Sequence, residues 1–551
     1  MIGDLPAETT KSPAAPRRRE QRTLYAAAFT NGPNELFDFI LPLWAGAALG
    51  LSATEVGILM AVEMALSVIA RPIAGVLADL FERRYVAATG AILYAASAAG
   101  YALAHDAPFA YAAAAVGGVG GALLWVAVRA IISERLAEDS AVFPRLLASQ
   151  ETGSWVAFVA GMVLIGEIGF DGVFWLCAGA CLLAAALLLS SPRRQVPRAP
   201  RGTPAGEPGG EEVTAGSAIA GLGAVGRRLR PMLIAVVVTM AAEAAISLLL
   251  LMHLQREFDL EVIQVAYVFL PGAIAMSVAA ERLHTYVVRF GRTRILMCAS
   301  FASAAFAAGL AWAPNPVVIA ALWILSGLAW AAVIPIQQAV IAEASGEHAG
   351  RGMGVYESAN LLGALVGALA AGVLYDGADW TVACLSAAVL ILAGSVVVPR
   401  AVRRLGVADV PPPPPEREPD PDPEPDPEPD PEPDPEPDPA PLPKPGADVT
   451  KSTPVRDEPP KTRQQVLREL GRHAVVFAVA QVVLLLLGLS WLYDLATEDS
   501  VDVLLHGAGQ ESGFARVGED GGKIWTFVLV VHALWAGAKC LATGLGRDGR
   551  D

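Results

Sequence analysis

Charge is what this chain has least of. Of 551 residues only 17% are Asp, Glu, Lys or Arg, while 54% are hydrophobic. A soluble chain carries roughly 25% charged residues. Cysteine is sparse as well: Cys177, Cys181, Cys298, Cys384 and Cys540 all lie inside apolar runs. They show neither metal-ligand spacing nor a disulfide framework, and read as small hydrophobes. Nucleophile–base sets, phosphate loops and nucleotide motifs are missing, which argues against an enzyme and against a primary pump. No catalytic residue, metal or cofactor is expected. A signal peptide is excluded too, because the apolar run after Arg17, Arg18, Arg19 and Arg22 is too long and lacks a cleavage site.

The charge deficit is uneven. Nearly uncharged stretches of about 19 to 25 residues recur, each long enough to cross ~30 Å of hydrocarbon as a helix. In lipid every backbone polar group must bond within its own segment, so an all-α membrane protein is expected. Twelve core helices are predicted near 24–46, 56–78, 86–105, 109–132, 149–168, 172–190, 231–253, 262–282, 294–312, 316–340, 355–375 and 380–398. Two more follow near 473–493 and 524–543. Arginines fall almost wholly in alternate loops: Arg83 and Arg84, Arg135 and Arg145, the cluster from Arg193 to Arg230, Arg289 to Arg294, and Arg351. That bias places both termini on the cytoplasmic side of a multi-pass protein of the cell membrane.

The chain divides accordingly into an N-terminal tail (1–23), a six-helix bundle (24–190), a polar loop (191–230) and a second six-helix bundle (231–400). The halves repeat each other. WVAVRAIISE (Trp125–Glu134) matches IPIQQAVIAE (Ile334–Glu343), and each is followed by a loop Arg and then a Glu, Arg145 with Glu151 and Arg351 with Glu357. Residues 401–462 form a Pro- and acid-rich linker, and 463–551 carry the helical pair. Twelve acids between 411 and 439 face Arg417 alone, so the net charge of −15 is mostly local and says nothing of nucleic acid. Pro-acid alternation favours extended polyproline II, a semi-rigid spacer. The terminal pair is placed to meet a protein partner or a second copy.

The sharpest local pattern is Gly75-Val-Leu-Ala-Asp79-Leu-Phe-Glu-Arg83-Arg84, on the loop after the second helix. Here the chain resembles the major facilitator superfamily, whose signature at this place is G-x-x-x-D-(R/K)-x-G-R-(R/K). The resemblance, over about residues 24–400, implies twelve helices in two halves and a latch on the inner side. Gly75 would allow close helix contact, Asp79 would cap and pair, and Arg83 and Arg84 would supply charge, Arg83 bridging to Glu134. Leu80 and Glu82 depart from the signature. The second copy keeps Arg292, with Glu343 matching Glu134, but has Val288 where Asp would stand. The stretch 42–61 looks like the start of drug and metabolite exporters of that superfamily, yet the Gly-Pro motif of its antiporters is absent from helix five.

Charges inside the bilayer each cost a few kcal/mol, so a carboxylate there usually faces a cavity or a partner. Glu35 and Asp38 beside Gly32-Pro33, Glu63, Arg129 and Glu243 are the candidates for a proton-coupling and substrate cavity; Glu151 and Glu357 are candidates for an inner gate. The expected partners are the lipid bilayer, a small-molecule substrate and protons. Proton-coupled export of a small organic solute leads; an uptake symporter and a transport-inactive membrane sensor or scaffold are the alternatives.

Overall fold

The computed structural model describes residues 14–194, 215–260, 262–377, 379–411 and 463–486, with a few isolated positions between 491 and 529. Among them the chain is helical throughout. The elements are α1 (Ala14–Ala48), α2 (Ala53–Leu80), α3 (Arg83–Leu103), α4 (Ala107–Ser133), α5 (Val142–Leu189) and α6 (Ala215–Glu257). They continue with α7 (Val262–Phe290), α8 (Arg292–Leu310), α9 (Pro316–Ser345), α10 (Ala349–Gly377), α11 (Trp380–Arg404) and α12 (Arg463–Leu486). Two compact units divide the chain, Met1–Pro413 with Leu484–Ile524, and Pro414–Val483 with Trp525–Asp551. The first holds α1–α11. The linker from 412 and the second helix of the expected terminal pair lie outside the described residues.

Nine stretches of the described residues are long and apolar enough to cross a membrane. One of them, Pro316–Ala371, runs through both α9 and α10, and another, Leu164–Leu189, takes in the second arm of α5 and the turn before it. α5 is broken at Gly169, whose φ of +69° suits glycine alone without steric cost. α1 and the first arm of α5 are not in the apolar set. They are diluted by Asn31, Asn34, Glu35 and Asp38 on one, and Gln150, Glu151, Thr152 and Ser154 on the other. These two segments pack on each other. Lipid tails are as apolar as leucine, so small residues that let helices approach closely carry much of this packing. A methyl group added at Gly32 would lie 2.5 Å from the Ala157 side chain and 2.8 Å from Gly153 O. α1 runs unbroken through Gly32-Pro33, and Gly32 seats it against α5.

Several boundaries differ from the sequence expectation, two of them within stretches expected not to be helical. α1 begins at Ala14, inside the stretch read as a tail, and α6 begins at Ala215, inside the stretch read as a loop. Arg, Ala and Leu all favour helix, and the α1 extension has partners. Arg19 lies 2.8 Å from Glu82 and 2.9 Å from Glu134, while Glu20 pairs with Arg145 at 2.8 Å and with Arg135.

Helices α1–α5 pack mainly on one another, as do α6–α11; the sets meet where α2 runs along α10 and α5 along α7. At the end carrying the α2–α3, α4–α5 and α9–α10 connections, one apolar core draws on both sets, including Ala74, Leu124 and Leu146 with Met232, Met353 and Tyr356. Toward the opposite end the cores are separate. Trp44, Tyr101 and Phe174 centre one, with ring centroids 5.3 to 5.8 Å apart. Leu254, Phe306 and Ile319 belong to the other.

Candidate functional site

A cavity of about 500 Å³ lies between the two sets, lined from α1, α5, α6, α7 and α9. That volume is in the range of small-molecule sites. α1 contributes Glu35, Asp38 and Phe39, and α5 contributes Glu151, Ser154, Trp155 and Phe158. From the other set come Met240 and Glu243 of α6, Phe269, Leu270 and Met276 of α7, and Trp323, Ser326, Trp330 and Ile334 of α9. Close backbone contacts aim these side chains. The Asn31 amide donates to Ser154 Oγ at 2.6 Å, fixing α1 against α5. α7 and α9 approach at Gly272 and Gly327, where a methyl on Gly327 would stand 2.6 Å from Gly272 O. Glu243 Oε1 accepts from Ser326 Oγ at 3.3 Å, and the Trp330 indole is a second neutral neighbour of the carboxylate. The indole N–H of Trp155 is buried beside the cavity with no hydrogen bond among the described residues.

At the end where the cores merge, buried ion pairs tie the sets together. The Asp79 carboxylate accepts from the backbone N–H of Gly350 (2.8 Å) and Arg351 (3.1 Å) and from Arg351 Nε (3.0 Å). Gly75 permits that approach, since a methyl there would come within 2.5 Å of Gly350 O. Arg71 donates to Glu357 at 2.8 Å, and Arg129 Nε lies 2.9 Å from the same carboxylate. Ser358 Oγ donates to Val68 O at 3.0 Å, and Ser140 Oγ lies 2.9 Å from His284 Nε2. Beside it, burial works against the charge of Asp139, but the Ala141 N–H and Arg145 still hold its carboxyl below the usual carboxylate range.

Within the first set Arg83 donates to Ala130 O at 2.6 Å and to Glu134 at 3.2 Å, and Arg84 to backbone oxygens of Leu189 and Ser191. Glu82, standing where the signature has glycine, accepts from Arg19. In the second set Arg292 grips Glu343 at 2.5 and 2.8 Å. A carboxylate at the start of α8 comes from beyond α11. Asp409 Oδ1 accepts from the Thr293 N–H at 2.8 Å, and Asp409 O accepts from the Arg292 N–H at 2.8 Å.

Of the residues singled out in the sequence for a cavity, Glu35, Asp38 and Glu243 line it; Glu63 and Arg129 do not. Glu63 sits where α2 presses on α4, its carboxylate 3.5 Å from where a methyl on Gly117 would be. Arg129 is drawn to Glu357, the nearest compensating charge. Of the two glutamates assigned to a gate, Glu357 lies in the ion-paired seam, while Glu151 lines the cavity and pairs with no base among the described residues. Sequence reasoning passed over Arg71, Asp409 and the aromatic lining. Arg71-Pro72 in mid-run was a readable signal for the first; Asp409 had none, because its partner lies on a distant loop.

The sequence pattern of the Major Facilitator Superfamily matches residues 24–287 and 283–538. Three solved structures share the architecture. The human organic anion transporter MFSD10 (TETRAN) is 18% identical with a TM-score of 0.57, covering 70% of this chain and 100% of its own. The proton:xylose symporter XylE is 14% identical (TM-score 0.53; 70% and 95%), and the E. coli fucose:proton symporter FucP 16% (TM-score 0.55; 71% and 98%). At such identities the likeness is one of fold. No curated protein matches the chain. With the family pattern running from α1 to beyond α12 over a bundle of apolar helices around a small-molecule cavity, the chain belongs to the Major Facilitator Superfamily of multi-pass membrane transporters.

Proposed function

We propose that this transporter is proton-coupled and exports a small organic solute across the cell membrane by alternating access. The two helix sets act as six-helix halves, with α5 counted as two spans, and both termini lie in the cytoplasm as the arginine bias directs. The observation that carries the reading is an acid-lined cavity set between halves that share a core at one end and keep separate cores at the other. The shared end bears the Asp79–Arg351 and Arg71–Glu357–Arg129 pairs. In this reading it is the cytoplasmic end, latched shut, so the cavity belongs to the outward-facing state. Opening that end requires Asp79 and Glu357 to release their arginines.

Glu35, Asp38, Glu151 and Glu243 are the groups that take up and release the coupled proton, Asp38 foremost because Glu35 and Glu63 are its charged neighbours. Carboxylates crowded together in a poorly hydrated place cannot all stay ionised, and that makes proton exchange there sensitive to what else is bound.

The test starts with a thermal-shift screen of the purified chain against drugs, sugars, amino acids and organic acids, since a ligand of the native state raises its stability. A hit is then added to proteoliposomes loaded with a pH-sensitive dye. Solute and protons moving in opposite directions is the expected result; movement in the same direction would make the protein an uptake symporter. Undiminished pH coupling in Asp38→Asn would sink the role given to that residue. A folded protein that answers to no compound would turn the reading toward a membrane sensor or scaffold.

A further inference from the structure

We infer that the central cavity takes an amphiphilic organic cation, a hydrophobic amine or onium ion of drug size; the inference rests on reading that cavity as the transport site. Charge is the first consideration. The ionisable side chains lining it are Glu35, Asp38, Glu151 and Glu243, with no Lys, Arg or His among the lining residues. The nearest intramembrane bases, Arg71 and Arg129, are both committed to Glu357 in the seam. An anion entering here would meet four carboxylates and no counter-charge. A cation would find compensation from both halves, because three of the acids stand on α1 and α5 and the fourth on α6.

Glu243 makes the case specific. Its carboxylate meets only the neutral donors of Ser326 and Trp330, and no described ion pair compensates it. A carboxylate with neutral donors but no counter-charge in such a place is unfavourable, and a positively charged group brought against it lowers the penalty. It faces a site already supplied with ring surfaces.

The apolar lining is the second consideration. Phe39, Trp155 and Phe158 from one half face Phe269, Trp323 and Trp330 from the other. The faces of aromatic rings attract cations and offer flat contact to apolar substituents, with Trp the strongest of the three ring types. A sugar needs a dense ring of amide and hydroxyl partners. This cavity supplies two hydroxyls, Ser154 and Ser326, and otherwise rings, aliphatic side chains and acids. The lining therefore fits neither a sugar nor an organic anion, the solutes named for the three solved structures of similar fold.

The experiment uses the full chain in nanodiscs with two probes of matched shape and opposite charge, tetraphenylphosphonium and tetraphenylborate, read by equilibrium binding against protein-free nanodiscs. The phosphonium should bind at least tenfold more tightly than the borate. Glu243→Gln and Asp38→Asn should each weaken it severalfold, with Glu347→Gln, outside the cavity, unchanged. Melting temperatures are read beside every variant, and Trp330→Phe, which keeps a ring, should retain binding that Trp330→Leu loses. Equal or tighter binding of the borate, or phosphonium binding indifferent to both acid variants, would overturn the inference. Phosphonium bound but never moved across proteoliposomes would fail the transport reading and leave the ligand class standing. A sugar or organic anion transported without any phosphonium binding would do the reverse.

Discussion

Arg71 and Glu357 meet at 2.8 Å across the seam between α2 and α10, and Arg129 shares the same carboxylate from α4. Two buried bases lean on one buried acid. Removing that acid leaves both cations uncompensated, a loss of about 3–5 kcal/mol for a buried pair broken from one side. Glu357→Gln should therefore lower the melting temperature of the purified protein by several degrees or more, and changing Arg71 and Arg129 to Met in the same chain should restore much of it. A single variant as stable as the parent would remove the triad from the account of the seam.

Asp79 is the other tie. It holds two backbone N–H groups and a guanidinium of the opposite half. Hydrogen bonds to a charged group are worth about 1.5–3 kcal/mol each, so Asp79→Asn should weaken the closed seam far more than it weakens either half. Ala148, which packs where α5 meets α7 and α9, reports on this. In a cysteine-free background, Ala148→Cys should react with a water-soluble maleimide several times faster when Asp79→Asn is added. An unchanged rate would mean the carboxylate does not govern opening.

Asp409 caps α8 from a segment past the end of α11. Loss of such a cap costs about 1 kcal/mol. A chain ended after Arg404 should thus be less stable than one ended after Pro411, and Asp409→Ala in the longer chain should reproduce part of the difference, the rest belonging to the backbone oxygens of Ala408 and Asp409 that accept from Arg292. Equal melting temperatures would reduce Asp409 to a surface contact. The comparison also fixes where a tail-less transporter must be cut before its activity can be judged.

How far the sequence carried these conclusions depended on the range of each interaction. The helix-long apolar runs and the Asp79–Arg83 signature are local, set by hydropathy and spacing, and could be read directly. The acids of α1 and α6 were legible because a charge in an apolar run is itself anomalous. Their company was not. Trp155 lies on α5 and Trp323 and Trp330 on α9, and any of them could have faced lipid. Only packing, set by Gly32 against Gly153 and Gly272 against Gly327, turns them toward Glu35 and Glu243. Arg129 misled for the same reason, since its partner Glu357 lies in the other half.

If the cavity acids hold a cation, protons and substrate compete for the same oxygens, and the sign of the pH dependence follows. A protonated carboxyl offers no charge, so tetraphenylphosphonium should bind more tightly as pH rises through the range in which Glu35, Asp38, Glu151 and Glu243 ionise. Glu63 and the phenols of Tyr94 and Tyr101 stand near Asp38. The affinity should change by at least about tenfold between acid and mildly alkaline solution, about 1.4 kcal/mol. In Asp38→Asn with Glu243→Gln, the profile should flatten while residual binding to the rings persists. Mutual exclusion of this kind is what obliges an exporter to take up a proton as it releases its solute. Equilibrium binding across the pH range decides it: affinity that stays level, or improves in acid, would mean these carboxylates do not hold the cation.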